Sequence, residues 1–204
     1  MNTTILDNIL GLADPVELAM QEEKISKRKA IELYDKAILD TLEAGEFSSL
    51  RVIHHALFSE IYPFAGKLRE VNIAKGGFRF APLMYLEQSL LYIDNMPQSS
   101  FDEIVEKYVE MNIAHPFREG NGRSTRIWLD LIFKKELGQV VDWSKVDKND
   151  YLMAMERSPV KDIEIKYLLK QALTEQITDR DVYLKGIDNS YYYEGYAVYK
   201  SNEL

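Results

Sequence analysis

Cysteine is absent from the 204 residues of the chain, which excludes a disulfide framework and any metal site built from thiolates. No apolar run reaches the length of about 18 residues that a transmembrane helix needs. The first 21 residues carry no lysine or arginine, so the basic start of a secretory signal peptide is missing. We therefore expect a cytoplasmic protein without a membrane partner.

Positive charge is also scarce. The chain has 25 lysine and arginine residues against 33 aspartate and glutamate residues, which gives a net charge of −8. No direct nucleic-acid partner is expected, because phosphate backbones require clustered cations. A local basic pocket for a small anion is compatible with this balance. The apolar share of 46% can supply a sizeable core, and the length favours one domain over residues 1–204.

Most of the chain has the apolar spacing of amphipathic helices. Ser100 and Glu103 have the pattern of a capping box before one of them. Within Ile127–Phe133 the only polar residue is Asp130, which predicts a central helix that is covered on most sides. The predicted helices span residues 26–43, 48–62, 83–95, 100–115, 122–138, 148–157, 160–174 and 178–198.

Residues 69–82 break the helical spacing. Val71 and Ile73 alternate with polar neighbours, and so do Phe78 and Phe80, with two glycines between the pairs. This pattern predicts a short β-hairpin. The expected fold class is therefore all-α with one hairpin.

The loop HPFREGNGRSTR, residues 115–126, combines several groups that suit a polyphosphate. A helix N-terminus offers unpaired N–H groups to phosphate, and the two glycines let the backbone approach an anion closely. Arg123 and Arg126 share one helix face and can grip successive phosphates. Glu119 can hold a Mg²⁺ that bridges phosphate oxygens, and His115 can act as a base toward an attacking hydroxyl. The set favours nucleotidyl or phosphoryl transfer.

Each of these residues also has an ordinary structural interpretation. His115 could end a helix and be stabilised by the helix dipole, and Arg126 could pair with Asp130 one turn away. The loop is not a Walker A sequence, because GxxxxGK[ST] is absent. What favours the nucleotide site is that all the parts occur in usable order within twelve residues.

This loop resembles the HPFx[DE]GNGRxxR motif of the Fic family and matches it at every position. With the helical surroundings and the hairpin, the resemblance covers roughly residues 25–198. It implies a Fic-type helical bundle with a β-hairpin flap. It also implies transfer of AMP from ATP to a hydroxyl side chain of a target protein, with Mg²⁺ as cofactor.

The resemblance further implies a role for each residue of the loop. His115 would deprotonate the target hydroxyl, Glu119 would bind Mg²⁺, and Phe117 would anchor the loop in the core. The residues that would bind phosphate are Gly120, Asn121 and Gly122 as an anion cradle, Arg123 at the β-phosphate and Arg126 at the γ-phosphate.

Residues 69–82 resemble the flap of the family, whose strand pairs with extended target backbone. Lys75 lies at the turn of this hairpin, where it could reach the nucleotide or the target. A solvated lysine at a hairpin tip is the alternative. The residues expected to dock the target are Ile73, Ala74, Lys75, Gly76, Gly77 and Phe78.

Near the C-terminus, SYYYEG at residues 190–195 resembles the [ST]xxxE[GN] inhibitory motif of Fic proteins. It implies an inhibitory helix over about 186–198, in which Glu194, with Ser190 and Gly195, withholds Arg126 from the γ-phosphate. One or two of the neighbouring tyrosines should pack this helix against the domain. Any exposed one is a candidate for self-modification, and the candidates are Tyr191, Tyr192, Tyr193 and Tyr196.

The leading interpretation is thus an auto-inhibited protein adenylyltransferase. The same site could instead remove AMP, or do both, because either reaction needs His115 and Glu194. A toxin-like protein-binding module would not need an intact catalytic loop. A metal-dependent phosphohydrolase would need more ligands than one histidine and one nearby carboxylate. The identity of the target and the formation of a homo-oligomer are left open by the sequence.

Overall fold

The computed structural model of the protein describes residues 5–75 and 78–204. The described residues are mostly helical, with two small two-stranded antiparallel sheets. None of the described helices is both long and apolar enough to cross a membrane. The helices are α1 (Pro15–Asp35), α2 (Phe47–Phe58), α3 (Leu86–Asp94), α4 (Phe101–Ala114), α5 (Asn121–Leu137), α6 (Lys148–Arg157), α7 (Ile163–Ala172) and α8 (Arg180–Tyr193).

The middle of the chain folds largely as predicted. The capping box before α4 is confirmed, because Ser100 and Glu103 each accept a hydrogen bond from the other's backbone N–H. α6 has the predicted bounds. α7 is shorter than predicted, because Leu173–Thr174 leaves the helix as a strand, β4, and pairs with β3 (Val140–Val141). The sequence pattern did not predict this sheet.

The first helix is shifted toward the N-terminus relative to the prediction. α1 begins at Pro15 rather than at residue 26, and the Asp14 carboxylate caps it by accepting from two N–H groups of the first turn. The Asp-Pro pair is a recognised helix start, since aspartate satisfies free N–H groups and proline suits the first turn. α1 ends at Asp35, and the positive φ of 51° at Ala37 prevents its continuation toward residue 43.

α5 is the central helix, as its near-continuous apolar sequence predicted. It packs against α2, α4 and α8. Its polar exception, Asp130, accepts hydrogen bonds from the N–H of Val141 and from Nε1 of Trp143, both at 2.8 Å. Burial raises the pKa of Asp130 to about 7. Arg126 binds other partners, so the alternative pairing of Arg126 with Asp130 is not formed. The completely buried side chains of α5 include Trp128, Leu129, Ile132 and Phe133.

The predicted hairpin is present but shorter than residues 69–82. β1 (Ala74–Lys75) pairs with β2 (Phe78–Arg79) in antiparallel fashion. Gly76 and Gly77, predicted to dock a target, lie outside the described residues. Both residues of β1 are exposed, so the hairpin presents a short strand at the surface.

α8 ends earlier than the inhibitory helix predicted over 186–198. Its last helical residue is Tyr193, and Glu194 is the C-cap. Gly195 has a φ of 95°, and the two N–H groups after Glu194 donate back to carbonyls of the last turn at 3.1 and 3.0 Å. This is the Schellman arrangement, which favours glycine at that position. The Glu-Gly end of the motif therefore stops the helix directly after the carboxylate.

Candidate active site

A cleft of about 580 Å³ brings together the flap, the end of α4, the loop 115–120, the first turn of α5, α6 and the end of α8. α6 contributes Tyr151, Leu152, Met155 and Glu156. The predicted site residues that line the cleft are Ile73, Ala74, Lys75, Phe78, His115, Glu119, Gly120, Asn121, Gly122, Arg123, Arg126 and Glu194.

The first turn of α5 presents free N–H groups. Within the described part of the chain, the backbone N–H groups of Asn121, Gly122 and Arg123 donate no hydrogen bond. Gly120 is the N-cap and has a positive φ of 77°. The side chain of Asn121 closes the loop, since its amide bonds the N–H and the carbonyl of Phe117 at 2.9 and 2.8 Å. Free N–H groups at a helix N-terminus are suited to phosphate oxygens.

His115 is the C-cap of α4 and has a left-handed backbone, with φ 48° and ψ 61°. Its ring stacks on that of Phe80 with 3.6 Å between ring centroids and 17° between planes. Burial lowers the pKa of His115 to about 3, and the charges of Lys75 and Arg69 act in the same direction. The imidazole is therefore neutral near pH 7, which is the state that a general base requires.

Glu119 is the carboxylate of the loop, and its side chain is 44% exposed. Oε1 accepts hydrogen bonds from the N–H of Gly120 at 2.9 Å and from Arg123 at 3.2 Å, which leaves Oε2 without a hydrogen bond among the described residues. Residues 5–75 and 78–204 contain no group of three or more side chains able to hold a metal ion. A single carboxylate suits Mg²⁺, which takes its other ligands from phosphates and water.

Each nitrogen of the Arg126 guanidinium donates a hydrogen bond, and the side chain is 3% exposed. Nε donates to Oγ of Ser190 at 2.7 Å, and Nη2 donates to the carbonyl of Ser190 at 2.8 Å and to Oε1 of Glu194 at 2.9 Å. Nη1 donates to the hydroxyl of Tyr151 at 3.2 Å. Ser190 and Glu194 lie about one helical turn apart, so both reach the same guanidinium.

The Glu194 carboxylate lies against the N-terminus of α5. A Cβ atom at Gly122 would lie 2.2 Å from Oε1 of Glu194, so this close approach requires glycine at position 122. Oε2 accepts a hydrogen bond from Nζ of Lys75 at 3.2 Å, which ties the flap to the carboxylate. Burial would raise the pKa of Glu194, but Arg126 and Lys75 lower it to about 2. Glu194 is therefore an anion near neutral pH, beside the free N–H groups.

Arg123 lies in an enclosed position. Its side chain is 1% exposed and forms ion pairs with Glu22 of α1 and with Glu119. The rings of Phe58 and Tyr196 lie over the guanidinium at 4.9 and 4.8 Å. The guanidinium is thus enclosed, and one of its contacts holds the Glu119 carboxylate. The predicted contact with the β-phosphate stays a prediction.

The tyrosines of residues 190–196 divide into buried and accessible ones. Tyr191 and Tyr193 are 1% and 3% exposed, and the Tyr193 hydroxyl donates to two backbone carbonyls. These two pack α8 against the domain, so in this arrangement they are not accessible for self-modification. The Tyr196 hydroxyl donates to Glu22 at 2.9 Å. Tyr192 is 50% exposed and is the accessible candidate among the four.

His54, for which the sequence indicated no partner, supports the loop. Its Nδ1 accepts from the N–H of Gly66 at 2.9 Å, so its proton lies on Nε2, which donates to the carbonyl of Glu119 at 2.8 Å. Its ring stacks on Phe117 at 3.8 Å. The hydrogen-bond partners Gly66 and Glu119 are 12 and 65 residues away along the chain, so no local pattern could have indicated them.

The pH dependence of folding should report the burial of His54. Burial lowers its pKa from 6.5 to about 3. Between these values the unfolded chain takes up a proton that the folded chain does not, so stability is lost as the pH falls from 6.5 toward 3. In His54→Gln the amide can donate to Glu119 and accept from Gly66. We expect this variant to lose roughly 2 kcal/mol less stability between pH 7 and pH 5 than the wild type.

Chemical denaturation at the two pH values measures this difference. His55→Gln is the matched control, because His55 is the neighbouring histidine of α2 and is exposed. The change in its stability between the two pH values is compared with that of His54→Gln. The same pH dependence in His54→Gln as in the wild type would show that His54 is not the group that titrates.

Comparisons with known proteins agree with this architecture. Residues 45–133 match the Fic/DOC family. The protein adenylyltransferase VbhT of Bartonella schoenbuchensis is 30% identical over 196 residues, covering 88% of this chain and 39% of VbhT. The probable protein adenylyltransferase y4lH of Sinorhizobium fredii is 29% identical over 168 residues, covering 76% of this chain and 84% of y4lH. The chain thus spans well under half the length of the first relative and most of the second.

The fold is found in a solved structure as well. BepC from Bartonella tribocorum, crystallised with bound AMPPNP, superimposes with a TM-score of 0.71 at 21% identity, covering 86% of this chain and 95% of that chain. The predicted helical bundle with a hairpin flap is therefore confirmed. The segment that matches the family contains the flap, α2 to α4 and the whole loop 115–126. The chain belongs to the Fic/DOC family.

Proposed function

We propose that the chain is an auto-inhibited protein adenylyltransferase, which moves AMP from ATP to a hydroxyl side chain of a target protein. The observation that carries this proposal is the cleft in which His115, the free N–H groups of α5 and Arg126 meet beside the flap. The names of the relatives, protein adenylyltransferases, support the reaction. The AMPPNP bound to BepC supports an adenine nucleotide as the substrate of this chain.

In the proposed step, the oxygen of the target hydroxyl attacks the α-phosphorus of ATP. A new O–P bond forms, the bond from the α-phosphorus to the pyrophosphate oxygen breaks, and pyrophosphate leaves. The neutral imidazole of His115 takes the proton of the hydroxyl. The N–H groups at the start of α5 stabilise charge on the phosphate oxygens. Arg126 adds its forked donors once Glu194 has released it.

Glu119 is the residue that we propose for Mg²⁺. Its half-exposed carboxylate lines the cleft and keeps one oxygen free of hydrogen bonds within the described residues. A Mg²⁺ held by this carboxylate would neutralise charge on the phosphates of the nucleotide. Arg123, itself held by Glu22, would keep this carboxylate in position. We assign Arg123 this role in addition to the predicted contact with the β-phosphate.

The flap would dock the main chain of the target. Strand addition supplies main-chain hydrogen bonds and reads little sequence, which suits an enzyme that must present a side-chain hydroxyl to its base. β1 is exposed, and Ile73, Phe78 and Phe80 line the same cleft as His115. A strand added here would carry its side chains to the mouth of the cleft.

Auto-inhibition would follow from competition between two anions for one arginine. Glu194 already occupies Nη2 of Arg126 and lies against Gly122. A γ-phosphate that needs the same fork must displace this carboxylate. The pKa of about 2 keeps Glu194 charged, so mild acidification would not release the arginine.

Incubation with ATP labelled at its α-phosphorus tests the proposed function. We expect the Glu194→Gly protein, with Mg²⁺, to transfer label to proteins of a cell lysate or to itself, and mass spectrometry then identifies the modified side chain. Label that is only freed as soluble AMP would indicate nucleotide hydrolysis. Label that is only removed from a previously modified protein would indicate the reverse activity. Either result without transfer would overturn the proposal.

A further inference from the structure

Arg69, at the base of the flap, is a buried arginine whose side chain binds only backbone carbonyls among the described residues. It is 3% exposed. Nε donates to the carbonyl of His115 at 2.8 Å, Nη1 to that of Val71 at 2.7 Å, and Nη2 to those of Ala81 and, at 3.2 Å, Ala114. Burial lowers the pKa of Arg69. A buried charge is costly without partners, so the four carbonyls are what makes this position tenable.

These carbonyls come from two parts of the molecule. Val71 and Ala81 lie on the two legs of the flap, on either side of β1 and β2. Ala114 and His115 form the end of α4, where helix carbonyls lack an intrahelical partner. A forked guanidinium can bind carbonyls in several directions at once, whereas a lysine ammonium cannot match that geometry. Arg69 therefore ties both legs of the flap to the end of α4.

The backbone of His115 is in a conformation that needs this support. Its φ of 48° is left-handed, which is unfavourable for a residue with a Cβ atom. The bond from Arg69 to its carbonyl satisfies the last acceptor of the helix, and the positive charge suits a helix C-terminus. The N–H of Arg69 also donates to the carbonyl of Pro116 at 2.9 Å. The chain is thus held at two successive carbonyls, those of His115 and Pro116.

The ring of His115 is held by the flap as well. Phe80, on the second leg, stacks on the imidazole at 3.6 Å. The N–H of the next residue, Ala81, donates to the carbonyl of Ile113 at 2.9 Å. Both the backbone and the ring of His115 therefore depend on the residues that form the base of the flap.

We propose that Arg69 is a positioning residue that fixes the position of His115 relative to the flap. The stacking of Phe80 on the imidazole is the second contact that holds the two together. This inference rests on the proposed function, in which the flap docks the target and His115 is the base. A strand bound to the flap would then reach an imidazole that stands at a fixed distance and orientation from it. Arg69 itself touches neither substrate, and it acts through the backbone of His115.

Imidazole NMR can test this without any enzyme activity, because the chain has only three histidines. With ¹⁵N-labelled histidine, we expect Arg69→Lys to move the resonances of His115 and to leave those of His54 and His55 unchanged. Phe80→Leu removes the ring contact without touching Arg69 and should likewise move only His115. Arg51→Lys is the matched control, since Arg51 also donates to a loop carbonyl, that of Gly66 at 3.1 Å. It should leave the His115 resonances in place.

Activity supplies the second arm of the experiment. Measured in proteins that also carry Glu194→Gly, Arg69→Lys should lower the rate of transfer about tenfold or more, since small misplacements of a reacting group are costly. ATP binding should stay within about twofold, because Arg69 lies outside the phosphate site.

The outcomes separate this proposal from the proposed function. Unmoved His115 resonances in Arg69→Lys would overturn it, and so would a general shift of all three histidines with a lowered melting temperature, which indicates ordinary packing. Phe80→Leu removes less than Arg69→Lys does, because the buried arginine stays in place. The same criterion, movement of the His115 resonances alone, applies to this variant. Absence of transfer in every protein, Glu194→Gly included, would count against the proposed function. The NMR result would still decide whether Arg69 positions His115.

Discussion

Glu194→Gly should turn a nearly silent protein into an active one. The carboxylate now holds Nη2 of Arg126 at 2.9 Å and Nζ of Lys75 at 3.2 Å, so its removal frees one cation for the nucleotide and releases the flap. A population that is about 99% closed gains about a hundredfold in rate on full opening, which corresponds to about 2.7 kcal/mol of bias. Labelling with α-labelled ATP, side by side with the wild type, measures the gain.

Two further variants show whether the gain comes through Arg126. The double variant Glu194→Gly with Arg126→Ala should fall back toward the wild-type rate, because in the proposed function the released arginine binds the γ-phosphate. Glu87→Ala is the matched control, since Glu87 is an exposed carboxylate of α3 that neither lines the cleft nor forms an ion pair among the described residues. It should leave the rate unchanged. Melting temperatures recorded in parallel identify any variant that loses activity by unfolding.

A structural glutamate would behave in the opposite way. If Glu194 served only to end α8, its loss would leave the labelling unchanged or lower it together with the melting temperature. The backbone of the cap is supplied by Gly195 and by main-chain hydrogen bonds, and Arg126 keeps its hydrogen bonds to Ser190 and Tyr151, so the Glu194→Gly protein should still fold. No increase in labelling with an intact fold would defeat the inhibitory assignment.

The parts of the site that the sequence predicted are those encoded by short spacings. The loop 115–126 is contiguous, so its free N–H groups, its histidine and its carboxylate lie together at the start of one helix. Ser190 and Glu194 are four residues apart, and a helix brings such a pair to one guanidinium. Arg126 and Glu194 are far apart in the sequence. Their pairing could be predicted only because both motifs resemble those of the Fic family.

The parts that were missed depend on tertiary contacts. Glu22 and Arg123 are 101 residues apart, and nothing in the spacing around either residue indicates the other. The four acceptors of Arg69 are backbone carbonyls, which carry no side-chain signal at all. A buried arginine is invisible to hydrophobic periodicity, because the pattern scores arginine as a surface residue.

Two errors in the helix bounds were avoidable from local signals. Asp14 and Pro15 together form a helix start that the apolar spacing alone did not register. Gly195 is a helix stop of the left-handed type, so α8 could have been ended at Glu194. In both places capping chemistry was more informative than periodicity, since periodicity continues past a residue that ends the hydrogen-bond ladder.

Replacing His115 should abolish transfer and leave ATP binding nearly intact. A general base contributes roughly a hundredfold to ten-thousandfold, and it acts on the attacking hydroxyl rather than on the nucleotide. The choice of variant matters here, because His115 has a φ of 48°. Asparagine tolerates the left-handed conformation better than alanine and cannot take up a proton near neutral pH. We therefore expect both His115→Asn and His115→Ala, in the Glu194→Gly protein, to lose transfer to the same extent.

An equal loss of transfer in His115→Asn and His115→Ala would assign the loss to the missing imidazole rather than to the backbone conformation. Rates of protein labelling and calorimetric ATP binding should be measured on both proteins. If His115→Ala lost transfer while His115→Asn kept it, the role of the residue would lie in its backbone conformation, which Arg69 and the end of α4 support. If both kept transfer within about tenfold, another group would have to take the proton. Loss in both with ATP still bound leaves the imidazole, neutral because its pKa is lowered to about 3, as the base.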